Sequence, residues 1–146
     1  MHPRLNFINL AVANLEHSLA FYRDGLGLPT KGIMGSEFRD EQTGAAGAIA
    51  FFDLQGGLML GLYERTNLAK DAATTLDAPS STEFSLGYVV KTKTEVDVLL
   101  KRAEGAGATI TESVHERPWG VYSGYFKDPD GHLWEITWDP RIQVND

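Results

Sequence analysis

Few side chains in this sequence have both the type and the spacing for catalysis or metal binding. Cysteine is absent, which removes thiol nucleophiles, disulfides and Cys-ligated zinc. The histidines are His2, His17, His115 and His132. Only His132 shares a short apolar run with an acid, Glu135, and residues three apart on a strand project to opposite faces unless a bulge intervenes. We therefore predict that none of the histidines is a ligand and that His132 is a surface residue beside a turn.

Glycine-containing motifs do not favour acyl transfer or nucleotide binding. No serine stands in a Gly-x-Ser-x-Gly elbow, and there is no Gly-x-x-x-x-Gly-Lys loop. Gly105 and Gly107 follow a helical pattern, whereas a dinucleotide fingerprint opens a helix. We expect the glycines at helix ends and turns.

The first 30 residues predict a strand followed by a helix. Residues 7–12 form an apolar run too short for a helix, and Asn14 after it is a suitable helix N-cap. Apolar residues then recur at helical spacing until Gly25 and Gly27, which indicates a helix of about ten residues with His17 in its first turn.

Two hairpins are predicted from paired apolar runs around turn sequences. Runs 48–54 and 58–63 flank Gln55-Gly56-Gly57, and runs 121–126 and 132–138 flank Asp128-Pro129-Asp130-Gly131. Between the halves, residues 65–83 are rich in Ala, Thr, Ser and Asp and form a predicted linker, with a short helical turn near residues 67–72.

The second half repeats the order of the first. Residues 84–90 form another apolar run, Thr92 and Glu95 form a capping box, and a helix ends at Gly105 and Gly107. Setting Gly57 against Gly131 places these pairs over one another: Phe52 and Phe126, Leu60 and Trp134, Gly61 and Glu135, Leu62 and Ile136. The agreement predicts an internal duplication; a chance repeat within an ordinary α+β domain is the alternative.

Length and charge narrow the classes of partner. A chain of 146 residues is the size of one domain, and its formal net charge of −7 has the wrong sign for nucleic acid or anionic lipid. No apolar run approaches the roughly 18 residues of a spanning helix, and the N-terminus lacks the apolar core of a signal peptide. We expect a cytoplasmic protein that binds neither nucleic acid nor membrane.

The sequence resembles the vicinal-oxygen-chelate superfamily, which includes glyoxalase I, extradiol dioxygenases, fosfomycin-resistance enzymes and bleomycin-binding proteins. The resemblance rests on GYFKDPDGHLWEITWDP at residues 124–140, FINLAV, SLAFYRDGLGL and FSLGYVV. It implies an α+β fold of two tandem βαβββ modules that form a half-open, eight-stranded, barrel-like sheet. The whole chain, 1–146, is then one glyoxalase-like domain: a first module at about 4–65, a linker at about 66–82 and a second module at about 83–140. A homodimer is also expected from the resemblance and from open sheet edges.

The same resemblance implies where a metal would be bound. Family members that use a metal take ligands from the first and last strands of each module, and the matching positions here are Phe7, Gly61, Phe84 and Glu135. Only Glu135 can ligate a cation, whereas a catalytic zinc site needs about three protein ligands. We therefore predict no metal and no other cofactor.

The cup that each sheet makes in such a fold is the expected ligand site. If Phe7 and Glu135 face inward, strand alternation adds further lining residues: Asn9, Ala11, Met59, Gly61, Tyr63, Phe84, Leu86, Tyr88, Leu133 and Thr137. We predict that the ligand is bound by Phe7, Asn9, Met59, Tyr63, Phe84, Tyr88, Trp119 and Glu135. Trp119 is interpreted either as a lid over the cup or as a packing residue, and the rings either line a pocket or fill a small core.

These residues and the family resemblance together leave three functions open. The first is a protein that binds or sequesters a small organic molecule with an aromatic or cationic portion, without a metal. The second is a metal-independent enzyme in which Glu135 is the catalytic acid or base. The third, a metal-dependent lyase or dioxygenase, agrees least with the residues, and whether there is any turnover stays open.

Overall fold

The structure, a computed structural model, describes residues 1–145. The chain forms two compact units, Met1–Ala78 and Pro79–Asp146. Each unit contains one four-stranded sheet with helices, so the predicted α+β class and tandem modules are confirmed.

The first unit follows the predicted order of elements. Its elements are β1 (Phe7–Val12), α1 (Leu15–Ala20) with a π-helical continuation (Phe21–Gly25), β2 (Ile33–Met34), β3 (Ile49–Asp53), β4 (Met59–Glu64) and α2 (Arg65–Asp71). The sheet order is β1-β4-β3-β2, with β1 parallel to β4 and the other pairs antiparallel. The sheet therefore has two open edges, β1 and β2.

Local signals set the ends of these elements. Asn14 Oδ1 accepts a hydrogen bond from the His17 N–H at 2.8 Å, which satisfies one of the free donors at the start of α1. Gly27 has a φ of 80° just beyond the π-helical turn, a conformation that side chains disfavour. The predicted N-cap, the helix end and the position of His17 in the first turn are all confirmed.

The second unit repeats the arrangement of the first. Its elements are β5 (Ser85–Val89), α3 (Lys93–Gly105), β6 (Thr109–Glu116), β7 (Tyr122–Lys127) and β8 (Leu133–Trp138), and the sheet order is β5-β8-β7-β6. Phe52 is paired with Leu60 in the first unit, and Phe126 with Trp134 in the second. The register thus confirms the duplication that the glycine alignment predicted.

Helix α3 covers one face of the second sheet. Thr92 and Glu95 form the predicted capping box at its start. Its buried residues are Val96, Leu100 and Ala103. A Cβ at Gly124 of β7 would lie 2.6 Å from Leu100 Cδ1, so the absence of a side chain there allows helix and strand to pack closely.

Three features were not foreseen from residue patterns. Strand β2 has only two residues, and β6 is interrupted by register shifts, so neither shows a clear alternation. His115 lies within β6, a strand that the loop-like sequence before Pro118 does not indicate. Helix α2 does occupy the expected helical turn in the linker. In residues 1–145, no helix combines the length and apolar character needed to cross a bilayer.

Candidate ligand-binding site

The sheet of the first unit has one packed face and one open face. Leu10, Phe52 and Leu60 are at most 1% exposed on the packed face, and Tyr22 from the helix contacts Phe52 with ring centroids 5.9 Å apart. The alternate residues form the open face: Phe7, Asn9, Ala11, Ile49, Phe51, Met59, Gly61 and Tyr63. Four predicted ligand-binding residues (Phe7, Asn9, Met59 and Tyr63) therefore share this face.

The side chain of Asn9 lies across Gly61, its partner in the parallel β1–β4 pair. A Cβ on Gly61 would stand 2.2 Å from Asn9 Oδ1 and 2.9 Å from the Phe51 ring, so only glycine leaves room for the amide. The amide oxygen is buried and has no hydrogen-bond partner among the described residues. A buried acceptor without a donor costs about 1–3 kcal/mol, which makes it a feature that requires an explanation.

Asn9 lines a depression of about 440 Å³. The other lining residues are Phe38, Arg39, Asp40, Ala45, Ala46, Gly47, Ile49, Tyr63 and Asp71. The Tyr63 hydroxyl donates to the Ala46 carbonyl at 2.8 Å, and the Ala46 N–H donates to Asn67 Oδ1 at 3.0 Å. These bonds hold the loop wall against β4 and α2, so the depression is built by fixed elements.

Acidic groups give this depression a negative potential. Burial raises the pKa of the Tyr63 hydroxyl, and the charges of Asp71 and Asp40 raise it further. Hydrogen bonds from the backbone N–H groups of Thr43 and Gln42 lower the pKa of Asp40, which keeps that carboxylate ionised. Arg39 is the one cationic lining residue. An apolar wall with exposed carboxylates beside it suits an aromatic or cationic organic molecule.

The open face of the second unit is polar, which differs from the prediction. Glu135 is paired with Gly87 on β5 and with Tyr125 on β7. Leu86 and Tyr88 alternate with Gly87 and project to the other face, so the expectation that they accompany Glu135 is wrong. Tyr88 instead lines a separate depression of about 280 Å³ beside α3. A one-residue difference in register exchanges the two faces of a strand, and the apolar run alone did not specify it.

Glu135 belongs to a row of polar side chains that the sequence analysis missed. Burial raises the pKa of the Tyr125 hydroxyl, and its hydrogen bond to Glu135 and the charge of that carboxylate add to the effect, while Arg117 opposes it. The Arg117 guanidinium lies 5.7 Å from the centre of the Tyr125 ring, and its Nε donates to Ser123 Oγ at 3.0 Å. A hairpin centred on the Asp128–Gly131 turn puts Tyr125 opposite Glu135, so counting outward from the turn is a signal that could have found Tyr125.

The remaining predicted residues are dispersed. Phe84 precedes β5 and is 49% exposed, and Trp119 is 61% exposed in the turn between β6 and β7. His132 flanks its turn as predicted, but its side chain is only 13% exposed, because its Nδ1 is hydrogen-bonded at 2.7 Å to the buried Asp128 carboxylate. The prediction of a surface histidine is therefore wrong.

A metal site of the kind the fold suggests does not match these side chains. Phe7 is paired with Met59 and Ser85 with Leu133, so the second-unit counterpart of Phe7 is Ser85 rather than Phe84. Glu135 remains the one carboxylate in that set. Across residues 1–145, no group of three His, Cys, Asp or Glu side chains is placed to hold a metal ion.

The repeated β-α-β-β-β arrangement and the open sheet faces define an α+β protein of tandem modules. The family profile described as the Glyoxalase/Bleomycin resistance protein/Dioxygenase superfamily matches residues 4–136. The chain belongs to this superfamily.

Similar proteins agree with this assignment. A glyoxalase-related enzyme from Fulvimarina pelagi superposes with a TM-score of 0.78 at 29% identity, over 98% of this chain and 93% of that one. The uncharacterised protein YraH of Bacillus subtilis is 28% identical over 88% of this chain and 93% of its own length. An uncharacterised protein of Mycobacterium bovis, Mb0911c, is 34% identical over 53% of this chain and 53% of that protein. The chain thus spans about half the length of the mycobacterial relatives it matches.

Proposed function

We propose that this protein binds or sequesters a small organic molecule with an aromatic or cationic portion, and does so without a catalytic metal. The observation that carries the proposal is the Asn9 amide: its oxygen is buried, lacks a partner among the described residues, and belongs to a residue that lines the depression of about 440 Å³. A ligand N–H would supply the missing donor.

The surrounding residues support the same ligand class. Phe51 and Ile49 provide apolar surface on the open face, and Asp40 and Asp71 provide negative charge near Tyr63. Ligand sites of this size are mostly apolar with a few placed polar groups that fix orientation. The donor set at the family's metal positions supports a metal-free function, because Phe7, Gly61 and Ser85 supply no imidazole, thiolate or carboxylate.

A thermal-shift screen with a library of small aromatic and cationic molecules tests this function. A ligand at 100 times its Kd stabilises the folded state by about 2.7 kcal/mol, so binders should raise the unfolding temperature of the wild-type protein. Asn9→Ala should lose most of that shift, while Asn6→Ala, which removes an exposed amide just before the same strand, should keep it. Failure of every compound to stabilise the wild type, or equal responses of both variants, would contradict the proposal.

A second candidate function is a metal-independent reaction with Glu135 as acid or base. The cross-strand pairing of Glu135 with Tyr125 favours it, because a carboxylate beside a phenol can accept and return a proton. Product formation from a stabilising compound, abolished by Glu135→Gln, would select this function over binding alone.

We also propose that the protein is a homodimer. Each sheet leaves open edge strands, which proteins commonly cover by association. Sedimentation at micromolar concentration should give twice the chain mass, and a single 16.1 kDa species would count against the dimer.

A further inference from the structure

Arg117 is held in place on the second unit without an acidic partner. Its Nε donates to Ser123 Oγ at 3.0 Å, and an Nη2 contact to the Ser123 carbonyl measures 3.5 Å. Its backbone N–H donates to the Val121 carbonyl at 2.7 Å, and its carbonyl accepts from the Gly120 N–H at 3.0 Å, which closes the turn between β6 and β7. Backbone and side chain are therefore both fixed.

Arg117 is half-buried and lacks a carboxylate partner among residues 1–145. Arginine is almost never fully buried unless it is paired, and Arg117 is partly withdrawn from water although no carboxylate of residues 1–145 lies at ion-pair distance from it. Its neighbours are neutral: Ser123, which is fully buried, and the face of the Tyr125 ring. By contrast, Arg23 and Arg141 are each paired with an aspartate.

The geometry points to Arg117 as the recognition residue for the carboxylate group of a small organic acid. A guanidinium has five N–H donors in a planar fork, and a carboxylate accepts two of them in parallel. The bonds to Ser123 occupy the Nε–H and one N–H of Nη2. The remaining N–H groups at the end of the guanidinium can donate to a ligand. The Tyr125 ring lies between the two groups in this row: it faces Arg117, and Tyr125 is the cross-strand partner of Glu135, whose carboxylate forms no ion pair with the guanidinium.

Preorganisation is the physical reason that such a site would bind. A free arginine side chain loses much conformational entropy when it is fixed by a ligand, whereas Arg117 is already fixed by Ser123. The formal net charge of −7 opposes general attraction of anions, so a response confined to Arg117 would indicate a specific site. This site concerns the second unit and does not depend on the depression beside Asn9, so either inference can fail without the other.

Nuclear magnetic resonance of the arginine Nε–H groups tests the site directly. The ¹⁵N-labelled wild-type protein is titrated with sodium benzoate and, separately, with sodium phosphate at constant ionic strength. We expect a saturable shift of the Arg117 resonance with benzoate and none at Arg141, whose guanidinium is already bonded to Asp139. Saturation with phosphate but not benzoate would overturn the carboxylate class, and no saturable shift, or equal drift at all arginines, would overturn the site.

Variants separate recognition from a purely structural role. Arg117→Lys keeps the positive charge but loses the planar pair of donors that a carboxylate accepts. Ser123→Ala removes the hydroxyl that accepts from Arg117 Nε. Each variant should weaken benzoate affinity at least about tenfold. Arg141→Gln is the matched control and should leave the affinity unchanged. If Arg117→Lys only lowers the unfolding temperature and binds benzoate as the wild type does, Arg117 merely stabilises the turn.

Discussion

Asn9 and Gly61 are directly paired across the parallel β1–β4 ladder, and the Asn9 amide occupies the space that a Gly61 side chain would fill. The second unit reverses the pair: Gly87 of β5 faces Glu135 of β8. Each repeat thus places one polar side chain opposite one glycine, but on exchanged strands. Nothing lies within 4 Å of a Cβ built on Gly87, so Glu135 does not lie over its glycine as Asn9 does.

Alanine at the two glycines should therefore have different effects. Neither glycine has a positive φ, so backbone strain does not enter. Gly61→Ala must displace the Asn9 amide and the edge of the Phe51 ring, and should destabilise the fold by about 1–3 kcal/mol, the usual cost of overpacking. Gly87→Ala should be neutral or slightly stabilising. Urea unfolding of both variants measures the difference, and equal effects would show that Asn9 is not seated over Gly61.

If the second candidate function holds, Glu135→Gln should preserve the fold and weaken binding of the molecule on which Glu135 acts. The change keeps the shape of the side chain but removes a charge, which costs about 1–3 kcal/mol where a charge-assisted hydrogen bond to a ligand is lost. Calorimetry measures the affinity of both proteins for a compound from the thermal-shift screen. Urea unfolding measures their stability. Lower stability with unchanged affinity would assign Glu135 a structural role instead.

Stability should fall at alkaline pH because three tyrosines resist ionisation in the folded state. Burial raises the pKa of Tyr63 and Tyr125 above 10.0, and a hydrogen bond to Asp97 does so for Tyr122. Since the folded state holds these protons more tightly, the stabilisation is complete below the unfolded pKa of about 10 and is lost as pH rises through the folded values. Urea midpoints should decline across this range, and Tyr125→Phe should reduce the slope. A midpoint that is constant or rises there would refute the assignment.

The capping box of α3 should contribute measurably to stability. Thr92 Oγ1 accepts from the Glu95 N–H at 3.2 Å, and the Thr92 N–H donates to Glu95 Oε2 at 2.9 Å. Thr92→Ala should cost about 1 kcal/mol. Thr94→Ala, an exposed position in the first turn of the same helix, should change the free energy of unfolding by less than about 0.5 kcal/mol. Comparable losses in both variants would mean that the cap is not formed in solution.

The purified protein should contain well under one transition metal ion per chain. The positions that match the family's metal ligands hold Phe7, Gly61, Ser85 and Glu135, and only Glu135 has a side chain that readily ligates a metal ion. Elemental analysis after purification without chelator or metal-affinity resin measures the content. One tightly bound zinc or nickel ion would show that other side chains assemble a site.

Local interactions account for what the sequence determined by itself. The Asn14 cap, the Thr92 capping box and the turn at residues 128–131 involve groups only a few residues apart, so their residue types suffice to predict them. The matching order of these signals in the two halves predicted the duplication. The resemblance placed Phe7 on the inner face, and strand alternation from Phe7 then identified the face that carries Asn9.

Only the tertiary structure decided which side chains meet. Strand β5 is almost uniformly apolar in sequence, so its register against β8, and therefore the face of Tyr88, depended on pairing with a strand more than 40 residues away. Arg117 reaches Ser123 across an irregular β6–β7 hairpin, and Tyr63 is approached by Asp40 from a loop and by Asp71 from the end of α2. Such contacts form only where the folded backbone brings segments that are distant in sequence close together. A short-range residue pattern does not specify which distant segments will meet.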